Sequence, residues 1–110
     1  MIQHIVLFKL KDEIRGEAKA KLIKEIEVRF EALPDEIPEL RALNVRANRN
    51  PHEEYDFVLL AKIESKKDLH AYADHPAHKA LQESLLKPNV DKRACVDVWN
   101  ELEIRGKKQF

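Results

Sequence analysis

This 110-residue chain has few glycines, one cysteine and no net charge, and each of these features argues against a class of protein. The two glycines, Gly16 and Gly106, form no glycine-rich phosphate loop, which argues against nucleotide-binding sites of that kind. Cys95 is the single cysteine, so an intrachain disulfide is impossible and a reducing cytoplasm is the expected location. Basic and acidic residues both number 20, and this balance argues against nucleic acid or an anionic membrane surface as a partner.

The remaining composition is that of a globular protein. Hydrophobic residues make up 44% of the chain and charged residues 36%, which separates it from disordered sequences. Its length predicts one domain over residues 1–110. The apolar run at residues 1–8 is followed at once by Lys9 and Lys11, and it is too short for a signal peptide or a membrane span. We therefore expect a soluble cytoplasmic protein.

The hydrophobic periodicity predicts the element order βαββαβ. Alternating apolar residues predict strands at residues 2–10, 42–48, 55–63 and 93–104. Helical spacing predicts one helix over 17–33, stopped by Pro34, and a pair of helices between a capping box at Ser65–Asp68 and Leu86, with Pro76 opening the second. Core-facing positions predicted on these helices are Ala18, Leu22, Ile26, Phe30, Leu33, Ala77, Ala80, Leu81 and Leu85. This order is typical of a ferredoxin-like α+β fold, a four-stranded antiparallel sheet with its helices on one face.

The strands carry apolar residues on both faces, although the predicted helices can cover only one. An exposed apolar sheet face of this size is unusual on a soluble monomer. A second copy related by a two-fold axis would cover it, so the sequence predicts a homodimer that closes into a dimeric α/β barrel. The alternative is that the 35–41 segment and the C-terminal tail of the same chain cover the face.

His78 and Asp97 are candidates for an acid–base pair. His78 lies two residues after Pro76, where the positive end of a helix dipole would lower the imidazole pKa and favour its basic form. Asp97 lies on a mostly apolar strand, where a carboxylate needs a partner such as an imidazole N–H. The alternative for His78 is a helix-start residue bonded to a carboxylate for stability alone.

For the other candidate site residues, a purely structural role is a stronger alternative than it is for His78. His4 lies on the first strand among apolar neighbours, where a hydrogen-bonded core histidine is the commoner outcome. Tyr72 suits either a hydroxyl facing a cavity or the edge of the core. His75 precedes a proline and fits a helix cap. His70, His75 and His78 make a poor metal site because no carboxylate joins them in sequence, so no metal is expected.

Three segments together resemble the stress-responsive α/β-barrel family, known as Dabb. They are residues 4–9 (HIVLFK), residues 72–78 (YADHPAH) and residues 95–97 (CVD). The resemblance implies a small dimeric α/β barrel, and most members of this family have no known activity. A plant polyketide cyclase in the family closes a linear tetraketide by aldol condensation without cofactor or metal.

By this resemblance the base would be His78, assisted by Tyr72 and His4 and supported by Asp97. The chain departs from the plant enzyme at Phe57, where the cyclase has another histidine, and this weakens the transfer of its reaction and substrate. Two hypotheses follow. One is a cofactor-independent enzyme acting on a small, partly apolar carbonyl compound, and the other is a non-enzymatic dimer that binds a ligand or protects the cell under stress.

Overall fold

The computed structural model describes residues 1–99, and these residues form a ferredoxin-like antiparallel sheet with helices on one face. The strands are β1 (Ile2–Leu10), β2 (Leu40–Ala47), β3 (Phe57–Ile63) and β4 (Val90–Trp99), in the spatial order β2-β3-β1-β4. Three α-helices follow the predicted order: α1 (Gly16–Glu31), α2 (Lys66–Asp74) and α3 (Pro76–Leu81). The predicted order is therefore confirmed, while the part of the last predicted strand beyond residue 99 lies outside the described residues. Within residues 1–99, no helix has the length and apolar character needed to cross a membrane.

The core lies between the helices and one face of the sheet. Alternate residues of β1 and β3, such as Val6, Phe8 and Leu59, are buried against Ile26 and Phe30 of α1. Phe8 and Phe57 lie directly opposite each other and stack with ring centroids 4.9 Å apart. The helices therefore pack against this apolar face of the sheet.

α1 is shorter than predicted. It ends at Glu31, and Pro34 lies in a short 3₁₀ helix at Leu33–Asp35 instead of directly after the α-helix. Gly16 begins α1 with φ of +56°, a left-handed conformation that glycine adopts without the penalty other residues incur.

The α2–α3 segment is interrupted at one residue. Ser65 caps α2 by accepting a hydrogen bond from the Asp68 N–H at 3.1 Å, as predicted. His75 has an extended backbone, with ψ of 135°, and Pro76 then opens α3. The Nδ1 of His75 accepts a hydrogen bond from the Ala77 N–H at 3.1 Å, which confirms its role as a cap. A π-helical turn at Gln82–Leu86 follows α3 and places Leu85 and Leu86 in the core.

The opposite face of the sheet carries a second apolar surface. The register places Leu60, Ile5 and Val96 in one row across three strands, and Val58, Leu7 and Ala94 in the next. The exposure of these residues ranges from partial to the 57% of Val96. We call these six residues the open-face patch: Ile5, Leu7, Val58, Leu60, Ala94 and Val96.

Candidate functional site

A cavity of about 680 Å³ lies between the sheet and the α2–α3 segment. Its walls combine apolar side chains of the core, including Phe8, Phe30 and Leu59, with three of the predicted site residues. Those three are His4, Tyr72 and His78. The lining also includes charged side chains such as Glu83, Lys87 and Arg93, and a volume of this size is typical of a small-molecule site.

His78 is held in one tautomer. Its Nδ1 lies 3.1 Å from the backbone carbonyl of Ala73, and because a carbonyl only accepts, Nδ1–H must donate. In the neutral imidazole this leaves Nε2 without a proton, on a side chain that lines the cavity. Burial, more than any other cause, lowers the pKa of His78 below 6.5. The hydrogen bond to the Ala73 carbonyl opposes this shift, and nearby His4 and His75 add to it. The direction matches the sequence-based expectation, but the main cause is loss of solvent and not a helix dipole.

Tyr72 lies beside His78 although the two belong to different helices. Their ring centroids are 4.5 Å apart, and the Tyr72 side chain is buried on the inner side of α2. Burial raises the pKa of the Tyr72 hydroxyl above its ordinary value of 10.0, so the group stays protonated at neutral pH. Tyr72 can therefore donate a hydrogen bond into the cavity but cannot serve as a base there.

Asp97 is bonded to His4, whereas the sequence suggested a bond to the base His78. The β1–β4 register places His4 directly opposite Asp97, and Asp97 Oδ1 lies 2.6 Å from His4 Nδ1. The carboxylate accepts a hydrogen bond from Nδ1–H of His4. In the neutral imidazole the other ring nitrogen, Nε2, then carries no proton. The predicted carboxylate–imidazole pair thus exists at His4, while His78 is oriented by a backbone carbonyl.

Cys95 is a member of this site that sequence reasoning passed over. Its Sγ lies 3.6 Å from His4 Nδ1, but the proton on that nitrogen is donated to Asp97, so His4 does not act as a base toward the thiol. Burial and the charge of Asp97 raise the thiol pKa above 9.0, against a smaller opposing effect of Arg93. Alternation along β4 places Cys95 and Asp97 on the same face, but their proximity to His4 depends on the strand register.

The remaining histidines have separate positions. His70 is exposed at the edge of the cavity, and His52 is exposed in the turn before β3. Phe57, the position at which the resemblance implied a departure from the plant cyclase, is buried in the core.

The lowered pKa of His78 has a consequence for stability. Between that lowered pKa and about 6.5 the unfolded chain binds a proton at this position more readily than the folded chain does. The free energy of unfolding should therefore be greatest above this window and should fall as the pH decreases through it. His78→Gln should reduce that pH dependence, measured by urea unfolding between about pH 5 and pH 7.5. His52→Gln is the matched control, and an unchanged pH dependence in His78→Gln would contradict the assignment.

Comparison with known proteins gives one consistent relationship. The sequence profile of the stress responsive A/B barrel domain (Dabb) matches residues 2–100. An uncharacterized protein of Streptomyces coelicolor is 35% identical over 81 residues, covering 73% of this chain and 81% of that protein.

Two solved structures share the fold. A dimeric protein of unknown function and ferredoxin-like fold from Bacteroides fragilis is 36% identical, with a TM-score of 0.81 over 88% of this chain and 93% of that one. A dimeric ferredoxin-like protein of unknown function from Thermobifida fusca is 28% identical, with a TM-score of 0.73 over 88% of each chain. Since the profile covers nearly the whole sequence, the chain belongs to the stress-responsive A/B barrel (Dabb) domain family.

Proposed function

We propose that the cavity binds a small, partly apolar carbonyl compound and that His78 removes a proton from the carbon next to the carbonyl. The observation that carries this proposal is the hydrogen bond from His78 Nδ1 to the Ala73 carbonyl. It leaves an unprotonated Nε2 on a residue that lines the 680 Å³ cavity. A base of lowered pKa in an apolar cavity is suited to proton abstraction near neutral pH.

Tyr72 supplies the other half of the chemistry. When the C–H proton moves to His78 Nε2, the electron pair of that bond moves onto the carbonyl oxygen and forms an enolate. The protonated Tyr72 hydroxyl, on the ring beside His78, donates to this oxygen and stabilises its charge. His78 then returns the proton to carbon. Alternatively, the enolate carbon attacks a second carbonyl group of the same molecule and closes a ring, the electron pair of that C=O bond moves onto its oxygen, and the resulting alkoxide takes the proton from His78 Nε2.

His4 and Asp97 form a second polar wall of the site. The Asp97 carboxylate fixes the ring of His4, which lies with its centroid 6.3 Å from that of Tyr72. The Nε2 of an imidazole oriented in this way can accept a hydrogen bond from a hydroxyl group of the ligand. Apolar side chains supply most of the remaining contact surface, and the relevant ones are Val6, Phe8, Phe30 and Leu59.

We also propose that the protein works as a homodimer in the cytoplasm. The open-face patch is an apolar surface across three strands, and the Bacteroides and Thermobifida relatives are dimeric. A two-fold axis through this face would bury the patch against itself and close a barrel. The single cysteine fits a reducing compartment.

Proton exchange tests the proposed reaction without knowledge of the natural substrate. The full chain is incubated in D₂O with small ketones that carry an apolar tail, and loss of the α-proton signal is followed by NMR. His78→Ala should slow exchange by about 100-fold or more, the usual contribution of a positioned base. Tyr72→Phe should slow it by at least about tenfold, because the enolate loses a hydrogen-bond donor.

His52→Ala is the matched control, since it removes an exposed histidine away from the cavity and should exchange like the wild type. Equal exchange by wild type and His78→Ala would remove the base assignment. Ligands that bind in the cavity without exchanging would favour the non-enzymatic alternative, a ligand-binding dimer, for which the size of the cavity is the supporting observation.

A further inference from the structure

Three side chains of different chemistry meet at the β1–β4 pairing. They are the imidazole of His4, the thiol of Cys95 and the carboxylate of Asp97. One ligand atom from each lies within 4.8 Å of the other two. Within residues 1–99 this is the one group of three such side chains that come together closely enough to hold a single ion.

The strand register explains why the three groups share one place. His4 lies opposite Asp97, and Cys95 lies opposite Val6, two residues along each strand. All three side chains consequently project from the same face of the sheet. The β1–β4 ladder continues in both directions along the strands from these positions, so the backbone that carries the three side chains is already ordered.

We propose that His4, Cys95 and Asp97 bind one divalent transition-metal ion, with zinc as the preferred ion. A nitrogen, a sulfur and an oxygen ligand suit zinc, cobalt or nickel, whereas magnesium and calcium take oxygen ligands. Three protein ligands leave the fourth tetrahedral position open, which is the arrangement of reactive and not of purely structural zinc sites. His4 is the member of the cluster that lines the cavity.

The distances fit such an ion with one local adjustment. Zinc bonds of about 2.0–2.1 Å to nitrogen and 2.3 Å to sulfur at a tetrahedral angle separate the two ligand atoms by about 3.6 Å. The observed separation of His4 Nδ1 from Cys95 Sγ is 3.6 Å. Asp97 Oδ1, at 2.6 Å from the same nitrogen, must move away by roughly 0.7 Å to reach the separation that zinc requires. The Asp97 side chain is 42% exposed, so rotation of this carboxylate meets little resistance.

Charge and protons balance at the occupied site. The thiol of Cys95 gives its proton to solvent and binds as a thiolate. The proton that His4 Nδ1 donates to Asp97 before an ion binds moves through solvent to Nε2, so that Nδ1 of the neutral imidazole can bind the ion. The thiolate and the Asp97 carboxylate together neutralise the two positive charges of the ion.

Cobalt binding to the full chain tests the site directly. Protein stripped by a chelator is titrated with Co²⁺, and we expect one ion per chain with a sulfur-to-cobalt charge-transfer band in the near ultraviolet. Cys95→Ser should abolish that band, and His4→Gln or Asp97→Asn should raise the dissociation constant more than about tenfold, since even the partners of metal ligands contribute that much. Zinc should displace the cobalt and bleach the band.

The chain offers matched controls for each ligand type. His52→Gln and Asp91→Asn remove an exposed histidine and an exposed β4 carboxylate outside the cluster, and both should bind cobalt like the wild type. His78→Ala should also bind normally, so failure of the proton-exchange proposal and failure of this one are distinguishable. Wild-type protein that shows no thiolate band, or Cys95→Ser that binds as tightly as wild type, would overturn the assignment. If a variant unfolds, protection of wild-type Cys95 from alkylation by zinc gives the same decision.

Discussion

Phe30→Ala should lower the free energy of unfolding by about 3–5 kcal/mol, the usual cost of truncating a buried phenylalanine to alanine. Phe30 is completely buried in α1 and its ring lies edge-on to the His78 ring, with centroids 6.4 Å apart. Truncation removes apolar contacts and leaves a void next to the existing cavity. Since small domains are stable by roughly 5–15 kcal/mol, a loss of this size is a large part of the total.

Urea unfolding measures this loss, and Val28→Ala is the matched control on the same helix. Val28 is 57% exposed, so its truncation should change stability by less than about 0.5 kcal/mol. A Phe30→Ala variant as stable as Val28→Ala would show that α1 does not depend on this side chain for its packing. The slope of the urea dependence should stay unchanged in both variants, because neither changes the surface exposed on unfolding very much.

Val96→Lys should convert the dimer to single chains at concentrations where the wild type is paired. Val96 lies in the open-face patch and is 57% exposed on the isolated chain, so a lysine there fits the fold of one chain. In the proposed dimer the same ammonium group would be buried without a partner, at a cost of about 3 kcal/mol or more. That cost corresponds to a rise in the dissociation constant of at least about a hundredfold.

Val28→Lys provides a closely matched control, because Val28 has the same 57% exposure but lies on the outer side of α1. Light scattering should give twice the 12.9 kDa chain mass for wild type and Val28→Lys, and the single-chain mass for Val96→Lys. Wild type at 12.9 kDa at micromolar concentration would refute the dimer. A Val96→Lys variant that stays dimeric would place the interface on another surface.

Periodicity was sufficient to predict the element order but not the limits of the core. The apolar alternation of β1 and β3 is regular, so these strands and their buried faces follow directly from the sequence. Ala18 and Ala80 are predicted to face inward and are exposed in the structure. Alanine is small and a good helix former on any surface, so it marks the edge of an apolar stripe poorly.

Some contacts of the candidate site follow from nearby residues in the sequence, whereas others depend on residues far apart in the chain. Proximity of Tyr72 to His78 follows from a short segment of sequence, and their shared cavity agrees with the expectation drawn from the family resemblance. The bond between His4 and Asp97 joins residues 93 positions apart and depends on the β1–β4 register. Alternation predicts which face of a strand a residue occupies, but the register that chooses its neighbour arises from the packing of the whole sheet.

The proline between α2 and α3 has an effect on the chemistry of the base. In an unbroken helix the Ala73 carbonyl would accept the N–H of residue 77, four positions later. Here the Ala77 N–H donates to the His75 side chain. The Ala73 carbonyl therefore has no backbone donor at the helix end, and it accepts a hydrogen bond from His78. The interruption of the helix at His75 therefore holds His78 in one tautomer. In a continuous helix the Ala73 carbonyl would accept from the Ala77 N–H and would not orient the imidazole.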